Sequence, residues 1–505
     1  MLNNRLPQHQ FTPNALLETM ISFENTYARL PERFFAKRRP TPVDSPLLVR
    51  LNEPLAKELG LDPDWLQSPA GVAMLAGNDL PESAAPLSQA YAGHQFGGWV
   101  PQLGDGRAIL LGEVTDRQDN RRDVQLKGSG LTPFSRGGDG RATLGSVIRE
   151  YLVSEAMAGL KVPTTRSLAA VSTGESVPRQ ELHPGGILTR IAASHIRVGT
   201  FQYFFGQTDL DGIRTLADYA IERHYPEAAT ATNPYLALLE NVALAQASLI
   251  AQWMQRGFIH GVMNTDNMTI SGETIDFGPC AFMDVFHPDK VFSSIDRQGR
   301  YAWGNQPDVG YWNLERLGET LAPLIADDAV GAEARIDEVL EKYLLAFRDA
   351  HFSGFSAKLG ITSAGADEQP FISTTLQLMA DRKLDFTLFF RHLTRAADSG
   401  SKSDLLAGLG ETSVDGLDEW MAAWEKITGG VSEERNRVMR AHNPIIIPRN
   451  HRVEEAISAA EGGDFGPFIR FTEAMTDPYR EDSALEKYER APKSEEVVCA
   501  TFCGT

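Results

Sequence analysis

The sequence predicts an α+β protein of two lobes: a strand-rich first part with one prominent helix, then a large helical second part. Three observations carry this. Short alternating apolar runs separated by Gly-rich turns occupy residues 91–127. Helical spacing of apolar residues dominates after Asp284. Between them, residues 260–279 hold turn signals and a cluster of oxygen-bearing side chains.

Composition sets the outer bounds. The chain has 505 residues, 42% of them hydrophobic, enough for two ordinary domains or one bilobed one. The expected division is an N-terminal extension and first lobe over residues 1–210, a helical lobe over 211–480, and a tail over 481–505. The formal net charge of −19 disfavours a nucleic-acid partner, which wants a basic face. It leaves room for a local basic pocket. No apolar run suggests a membrane span, and MLNNRLPQHQ lacks the charged-then-apolar pattern of a leader, so a cytoplasmic enzyme is expected. Three cysteines, Cys280, Cys499 and Cys503, make neither a disulfide framework nor a zinc spacing.

The first lobe reads as strands and anion-receptive turns. Gly104-Asp105-Gly106-Arg107 is a tight turn before the strand Ala108 to Val114. Glycine lets backbone N–H groups approach an anion, and Arg107 adds a charge. A second Gly-Asp-Gly-Arg-Ala, residues 138–142, supplies Asp139 and Gly140. Neither turn is closed by G-K-[ST], so neither is a Walker loop. Residues 123–127 alternate as a half-buried strand ending in Lys127. A helix follows over Thr143 to Leu160, with Glu150 among its apolar residues. A strand lysine followed by a helix glutamate is the ion pair of kinase-type folds. Arg190, on a strand over Gly186 to Ile191, and Arg197, in a helix over Ser194 to Phe205, are phosphate-binding candidates. His94 has no partner spacing and reads as a structural hydrogen-bonder.

The central run is H-G-V-M-N-T-D-N-M-T-I-S-G-E-T-I-D-F-G-P, His260 to Pro279. If Ser271-Gly272 makes a two-residue hairpin turn, Ile270 pairs with Glu273, Met268 pairs with Ile275, and Asn267 faces Asp276. Directly opposite residues have Cβ atoms about 5 Å apart, which suits two oxygen ligands on one divalent cation. Kinases carry H-R-D-x-x-x-x-N and then D-F-G. Here Asn267 takes the asparagine position and Asp276-Phe277-Gly278 is a literal D-F-G. Val262 stands where the kinase base would be and cannot take a proton, so Asp266 is the replacement candidate.

Further on, helices are expected over Leu210 to His224, Asn233 to Arg256, Trp312 to Leu324, Ala332 to His351, Thr374 to Ala397 and Leu417 to Ile427. A polar loop is expected over Asp398 to Asp404, and a mobile charged tail from Glu481 to Val497. Arg449 to His451 suggests no role. The order of elements is that of a two-lobed, protein-kinase-like (pseudokinase) fold with the nucleotide in the cleft.

At this point the chain resembles the selenoprotein O family, whose bacterial members are the YdiU proteins. The resemblance rests on YAGHQFGGWVPQLGDGRA, QLKGSGLTPFSRGGDGRATLGSVIREYL, SHIRVGTFQYF and HGVMNTDNMTISGETIDFGPCAFMD. It implies a kinase-like fold and a protein adenylyltransferase that moves AMP from ATP to Ser, Thr or Tyr hydroxyls of proteins. Transfer of UMP is also described in the family. By the resemblance, Gly104, Gly106, Arg107, Lys127, Asp139, Gly140, Arg190 and Arg197 bind ATP, and Glu150 orients Lys127. Asn267 and Asp276 hold Mg²⁺ or Mn²⁺, and Asp266 accepts the proton. Cys503 sits near the end, where eukaryotic members carry selenocysteine, and Cys280 is expected to pair reversibly with Cys503 or Cys499. Two other readings stay open on the residues alone: a true kinase with Asp266 as base, and a non-catalytic ATP-binding scaffold.

Overall fold

A computed structural model describes residues 21–362, 368–410, 412–429 and 432–502. Contacts group the chain into two compact units that interleave in sequence. The first comprises Met1–Ala90, Gly104–Val147 and Ser167–Ala193; the second comprises Tyr91–Leu103, Ile148–Arg166 and Ser194–Thr505.

The strands in chain order begin with β1 (Phe35–Lys37), β2 (Leu47–Leu51) and β3 (Leu87–Gln89), followed by β4 (Gly93–Gln95) and β5 (Gly98–Val100). Then come β6 (Ala108–Thr115), β7 (Arg121–Lys127), β8 (Ala142–Thr143), β9 (Arg166–Pro178) and β10 (Leu182–Ala192). The first unit is built on a sheet of order β1-β3-β6-β7-β10-β9-β2, with β8 paired to β10. One face carries Ile109, Leu111, Val124, Leu126, Ile187 and Ile191, packed on Leu55, Leu66, Met74 and Leu75 of short helices. Asn52, Asp62 and Ser68 cap those helices through their side chains. β7 is buried on both faces, against the half-buried expectation. Its second face carries Gln125, which is fully buried and is satisfied by Asp105 Oδ2 at 3.3 Å and Arg190 Nη1 at 3.4 Å.

The second unit is mostly helical. Helices α1 (Leu144–Gly159, of which Ile148 onward belongs to this unit), α2 (Val198–Gly206), α3 (Leu210–His224) and α4 (Pro234–Gln255) precede β11 (Phe258–Ile259) and β12 (Ala281–Phe282). Helices α5 (Gln306–Ile325), α6 (Ala329–Leu359) and α7 (Phe386–Ser399) follow. α4 is long and apolar enough to cross a membrane by length and composition. Half of its apolar window is buried inside this unit, where it packs on α5 and α6. Asn233 caps it, accepting from Leu236 N at 3.0 Å. A second core gathers Phe286, Phe355, Phe386, Phe390, Trp420 and Trp424.

Several expectations change. The helix expected over Thr374 to Ala397 is two, Glu368–Asp381 and α7. Lys383 takes φ 53°, and the Asp385 carboxylate caps α7 by accepting from Leu388 N at 2.8 Å. The polar loop shrinks, because Gly400 ends α7 in the left-handed region and Lys402–Leu409 is helical. Residues 194–197 are not helical; Arg197 is the N-cap residue of α2.

The tail is tied down. Arg391 pairs with Glu481 at 2.6 Å and Glu489 at 3.4 Å, and Arg490 pairs with Glu496 at 2.8 Å. Thr501 bridges to Ser293, and its hydroxyl donates to the Pro279 carbonyl at 2.5 Å. Arg449, given no role from sequence, is buried and ion-paired to Asp284 and Asp385, so it joins the segment after the D-F-G to the start of α7. Cys280 is buried and Cys499 exposed, whereas Cys503, and with it the expected pairing, lies outside the described residues.

Candidate active site

The central run is held by its ends. β11 and β12 pair antiparallel, Phe258 with Phe282 and Ile259 with Ala281, and so bracket residues 260–280. Gly261 turns the chain at φ 79°, where an added Cβ would lie 2.8 Å from the Pro279 carbonyl oxygen. His260 is fully buried; its Nε2 meets the Ile275 carbonyl at 2.9 Å, and burial pushes its pKa down, so the neutral ring serves as a structural clip.

The Ser271-Gly272 turn forms, but the predicted ladder does not. Thr269 bridges to Arg197 and Thr274 to Thr164, so the two limbs pair with other segments rather than with each other. The turn is closed by a side chain instead: Thr269 Oγ1 accepts from Glu273 N at 3.1 Å and donates to the Glu273 carbonyl at 2.7 Å. That hydroxyl takes the bonds a cross-strand backbone pair would have made. Gln246 of α4 then donates to the Thr269 carbonyl at 2.7 Å, and Trp253 to Thr274 Oγ1 at 2.8 Å. The register that was to bring Asn267 opposite Asp276 is therefore absent.

A different geometry gathers the acidic groups. Thr265–Asn267 is a single 3₁₀ turn. Asn267 Nδ2 donates to the Val262 carbonyl at 2.9 Å, which fixes the amide so that its oxygen points away from that bond. Arg197 is almost fully buried; its Nη2 donates to Asp276 Oδ2 at 3.1 Å, and its guanidinium lies 4.5 Å from the Tyr91 ring centroid. Asp276 takes φ 63°, a left-handed conformation that Asp tolerates better than most residues.

Asp266 is buried. Gln95 Nε2 donates to its Oδ2 at 3.3 Å, while its Oδ1 is buried without a hydrogen-bond partner among the described residues. Burial pushes its pKa up to about 6; Arg197 and Gln95 pull it down, and the Asp276 charge adds to the rise. Gly93 lies against it, since an added Cβ would sit 2.8 Å from Oδ1. The loop around β4 is bound to the same turn: His94 N donates to Thr265 Oγ1 at 2.7 Å and Phe96 N to Asn264 Oδ1 at 3.0 Å. His94 is structural as expected, with Nδ1 on Gln202 at 2.9 Å.

The first unit holds the other candidates. Gly104 has φ 71°, and a Cβ there would fall 2.3 Å from Phe134 Cγ. A Cβ on Gly106 would lie 2.8 Å from the Phe134 carbonyl oxygen. The Arg107 carbonyl accepts from Gly128 N at 2.7 Å, and Lys127 ends β7 opposite Ala108 and Leu188. Gly140, at φ 70°, packs so closely on Gly130 that no side chain fits. Asp139 is held by Arg179 at 2.8 and 3.2 Å, and that guanidinium keeps its carboxyl below the usual range. Arg190 is buried beside Gln125. In the second unit, Glu150 is buried on α1. Sequence reading overlooked Gln95, Gly93, Tyr91 and Arg179. The first three lie in YAGHQFGG, whose glycines were legible as a turn but whose partners lie far along the chain.

Among the described residues no group of three or more His, Cys, Asp or Glu forms a metal centre.

A sequence model of the family described as protein adenylyltransferase SelO matches residues 18–476. A protein nucleotidyltransferase YdiU of Rhodopseudomonas palustris strain BisB5 is 56% identical over 96% of this chain and 99% of its own length. Proteins of the same name from Bradyrhizobium sp. strain ORS 278 and Rhizobium etli are each 53% identical over 96% of this chain, covering 99% and 97% of their lengths. The molecule is thus an enzyme of the nucleotidyltransferase class. The chain belongs to the SelO family of protein adenylyltransferases.

Proposed function

We propose that this enzyme transfers AMP from ATP to Ser, Thr or Tyr hydroxyls of other proteins and releases pyrophosphate, on a kinase-like two-lobed fold. The order of elements supports the fold: β7 ends at Lys127, α1 follows with Glu150, and β9 and β10 return beside β7. The observation that carries the chemistry is Asp266, a buried carboxyl one residue from Asn267, with one oxygen positioned by Gln95 and the other unpartnered among the described residues.

In this reading Asp266 Oδ1 takes the acceptor's hydroxyl proton as the oxygen attacks the α-phosphorus. Asn267 and Asp276 would hold a divalent cation, and Arg197 orients the Asp276 carboxylate. A bound Mg²⁺ or Mn²⁺ supplies charge neutralisation at phosphate oxygens. Gly104, Gly106 and Gly140 let the two Gly-rich turns close on Phe134 and Gly130, which shapes the backbone offered to ATP. Arg107, Lys127 and Arg190 carry the positive charge that suits phosphate oxygens. Asp139, fixed by Arg179, shapes the second Gly-rich turn.

Incubation of the protein and a cell extract with α-labelled or γ-labelled ATP tests this. Protein label from the α position alone supports the proposal. Label from γ alone makes it a kinase, and no label makes it a binding scaffold. Labelled UTP in place of ATP decides whether UMP is also transferred.

A further inference from the structure

The loop that holds Asp266 also carries two exposed aromatic residues, Phe96 and Trp99. β4 and β5 form a two-stranded sheet, and Gly93, His94 and Gln95 pair with Val100, Trp99 and Gly98. β4 is the inner strand, because His94, Gln95 and Phe96 bond to Thr265, Asp266 and Asn264. β5 is the outer strand and has no further strand beside it among the described residues. A short free edge of this kind is a template for an extended partner segment. Trp99 is 42% exposed and Phe96 37% exposed. Phe96 reaches this position in a left-handed conformation, φ 52°, and lies on Tyr301, with ring centroids 5.1 Å apart.

A charge accompanies the aromatic patch. The Arg300 guanidinium sits over Trp312 at 4.9 Å from the ring centroid and 5.8 Å from the Tyr301 centroid. It backs the β4–β5 turn, since a Cβ on Gly97 would lie 3.6 Å from Arg300 Cζ. Arg300 forms no ion pair among the described residues; its Nε, like that of Arg316, is buried without a hydrogen-bond partner there, so a carboxylate must approach its outer nitrogens. Its neighbour across Trp312 differs: Arg316 is matched by Glu315 at 2.7 Å and Glu319 at 2.9 Å. One guanidinium at this ring is neutralised within its own helix, and the other is left for a carboxylate from elsewhere.

We infer that β5, Phe96, Trp99 and Arg300 form the docking surface for the acceptor protein. The segment bearing the target hydroxyl lies extended along β5, packs its apolar side chains on Phe96 and Trp99, and presents an Asp or Glu to Arg300. The inference rests on the proposed transfer to hydroxyls, because it takes Asp266 as the point the hydroxyl must reach. It adds a specificity: acceptor sites with an acidic flank.

The labelled cell extract also serves as the test. Modified sites are mapped by mass spectrometry for the wild type, Arg300→Ala and Arg300→Lys, with ATP affinity measured for each. The wild type is expected to enrich Asp or Glu within three residues of the modified hydroxyl roughly two- to fivefold over unmodified sites, as for a partly exposed ion pair. Arg300→Ala is expected to lose the enrichment at unchanged ATP affinity, and Arg300→Lys to keep most of it. Wild-type sites without acidic enrichment, or enrichment retained in Arg300→Ala, overturn the docking surface alone. A fall in ATP affinity in Arg300→Ala also overturns it, by making phosphate the partner. Absence of any label overturns this inference together with the transfer reaction.

Discussion

Arg197 holds the central run at two points: its side chain donates to Asp276 Oδ2 at 3.1 Å, and its backbone bridges to Thr269, on the limb that leads into the turn before Asp276. One residue thus sets both the path of the central run and the orientation of its carboxylate. The pair sits beside the Tyr91 ring, where the guanidinium is almost fully buried. Position 197 also begins α2, so the helix start and the site share one anchor.

Arg197→Met should therefore be costly in two separable ways. Removing a charge-assisted hydrogen bond to the part-exposed Asp276 carboxylate costs about 2 kcal/mol, and urea unfolding should show a loss of that order. Label transfer from α-labelled ATP should fall at least about a hundredfold, the scale of losing a positioned electrostatic group. Arg197→Lys should recover much of the stability but little of the transfer, because an ammonium lacks the planar fork. Stability equal to wild type in Arg197→Met would remove this pair from the structural argument.

Asp276 separates backbone strain from charge. At φ 63°, Asn is tolerated nearly as well as Asp, whereas Ala pays for its Cβ. Asp276→Asn should abolish transfer, since the anionic oxygen is gone, and should lose stability comparable to Arg197→Met, since it takes the charge partner from the same buried guanidinium. Asp276→Ala should lose transfer and about 1 kcal/mol more stability than Asp276→Asn, the cost of the left-handed backbone. Comparable transfer by Asp276→Asn and wild type would show that the carboxylate holds no cation.

Acid should weaken the helical unit through His392. It is buried between Arg391 and Arg395, and it packs so tightly on Gly408 that a Cβ there would lie 2.0 Å from the imidazole. Burial, reinforced by those two arginines, lowers its pKa from 6.5 to about 4. The unfolded chain thus binds the proton that the folded chain refuses, so stability falls as pH drops from 6.5 towards 4. His351 and His451 shift in the same direction. His392→Gln cannot protonate, so its urea midpoint should decline less steeply across that interval than the wild type's. Parallel declines would exclude His392 from the acid response.

Much of this was readable before any coordinates. Residues 210–224 and 234–255 follow directly from apolar spacing with Asp209 and Asn233 as caps. Lys127 at a strand end and Glu150 on a buried helix face follow from a period of two and then of 3.6. The merged helix over Thr374 to Ala397 was misread because helical spacing persists on both sides of the break. The break itself comes from a left-handed Lys383 and a cap at Asp385, neither of which disturbs the apolar pattern. The tail was misread for a similar reason: charge predicts solvent, and Arg391 supplies a buried counter-charge from a distant helix.

The amino-acid order alone determined which oxygen and nitrogen groups this enzyme has for nucleotide chemistry, because residue type sets donor, charge and proton affinity. The conformation decided how they meet. The hairpin expected from spacing gave way to a turn closed by the Thr269 hydroxyl, with its limbs paired to Arg197 and Thr164. Backbone groups satisfy themselves with whichever partner packing brings within reach. So the pairing of Asp276 with Arg197, and of Asp266 with Gln95, is set by contacts 79 and 171 residues apart that no local pattern encodes.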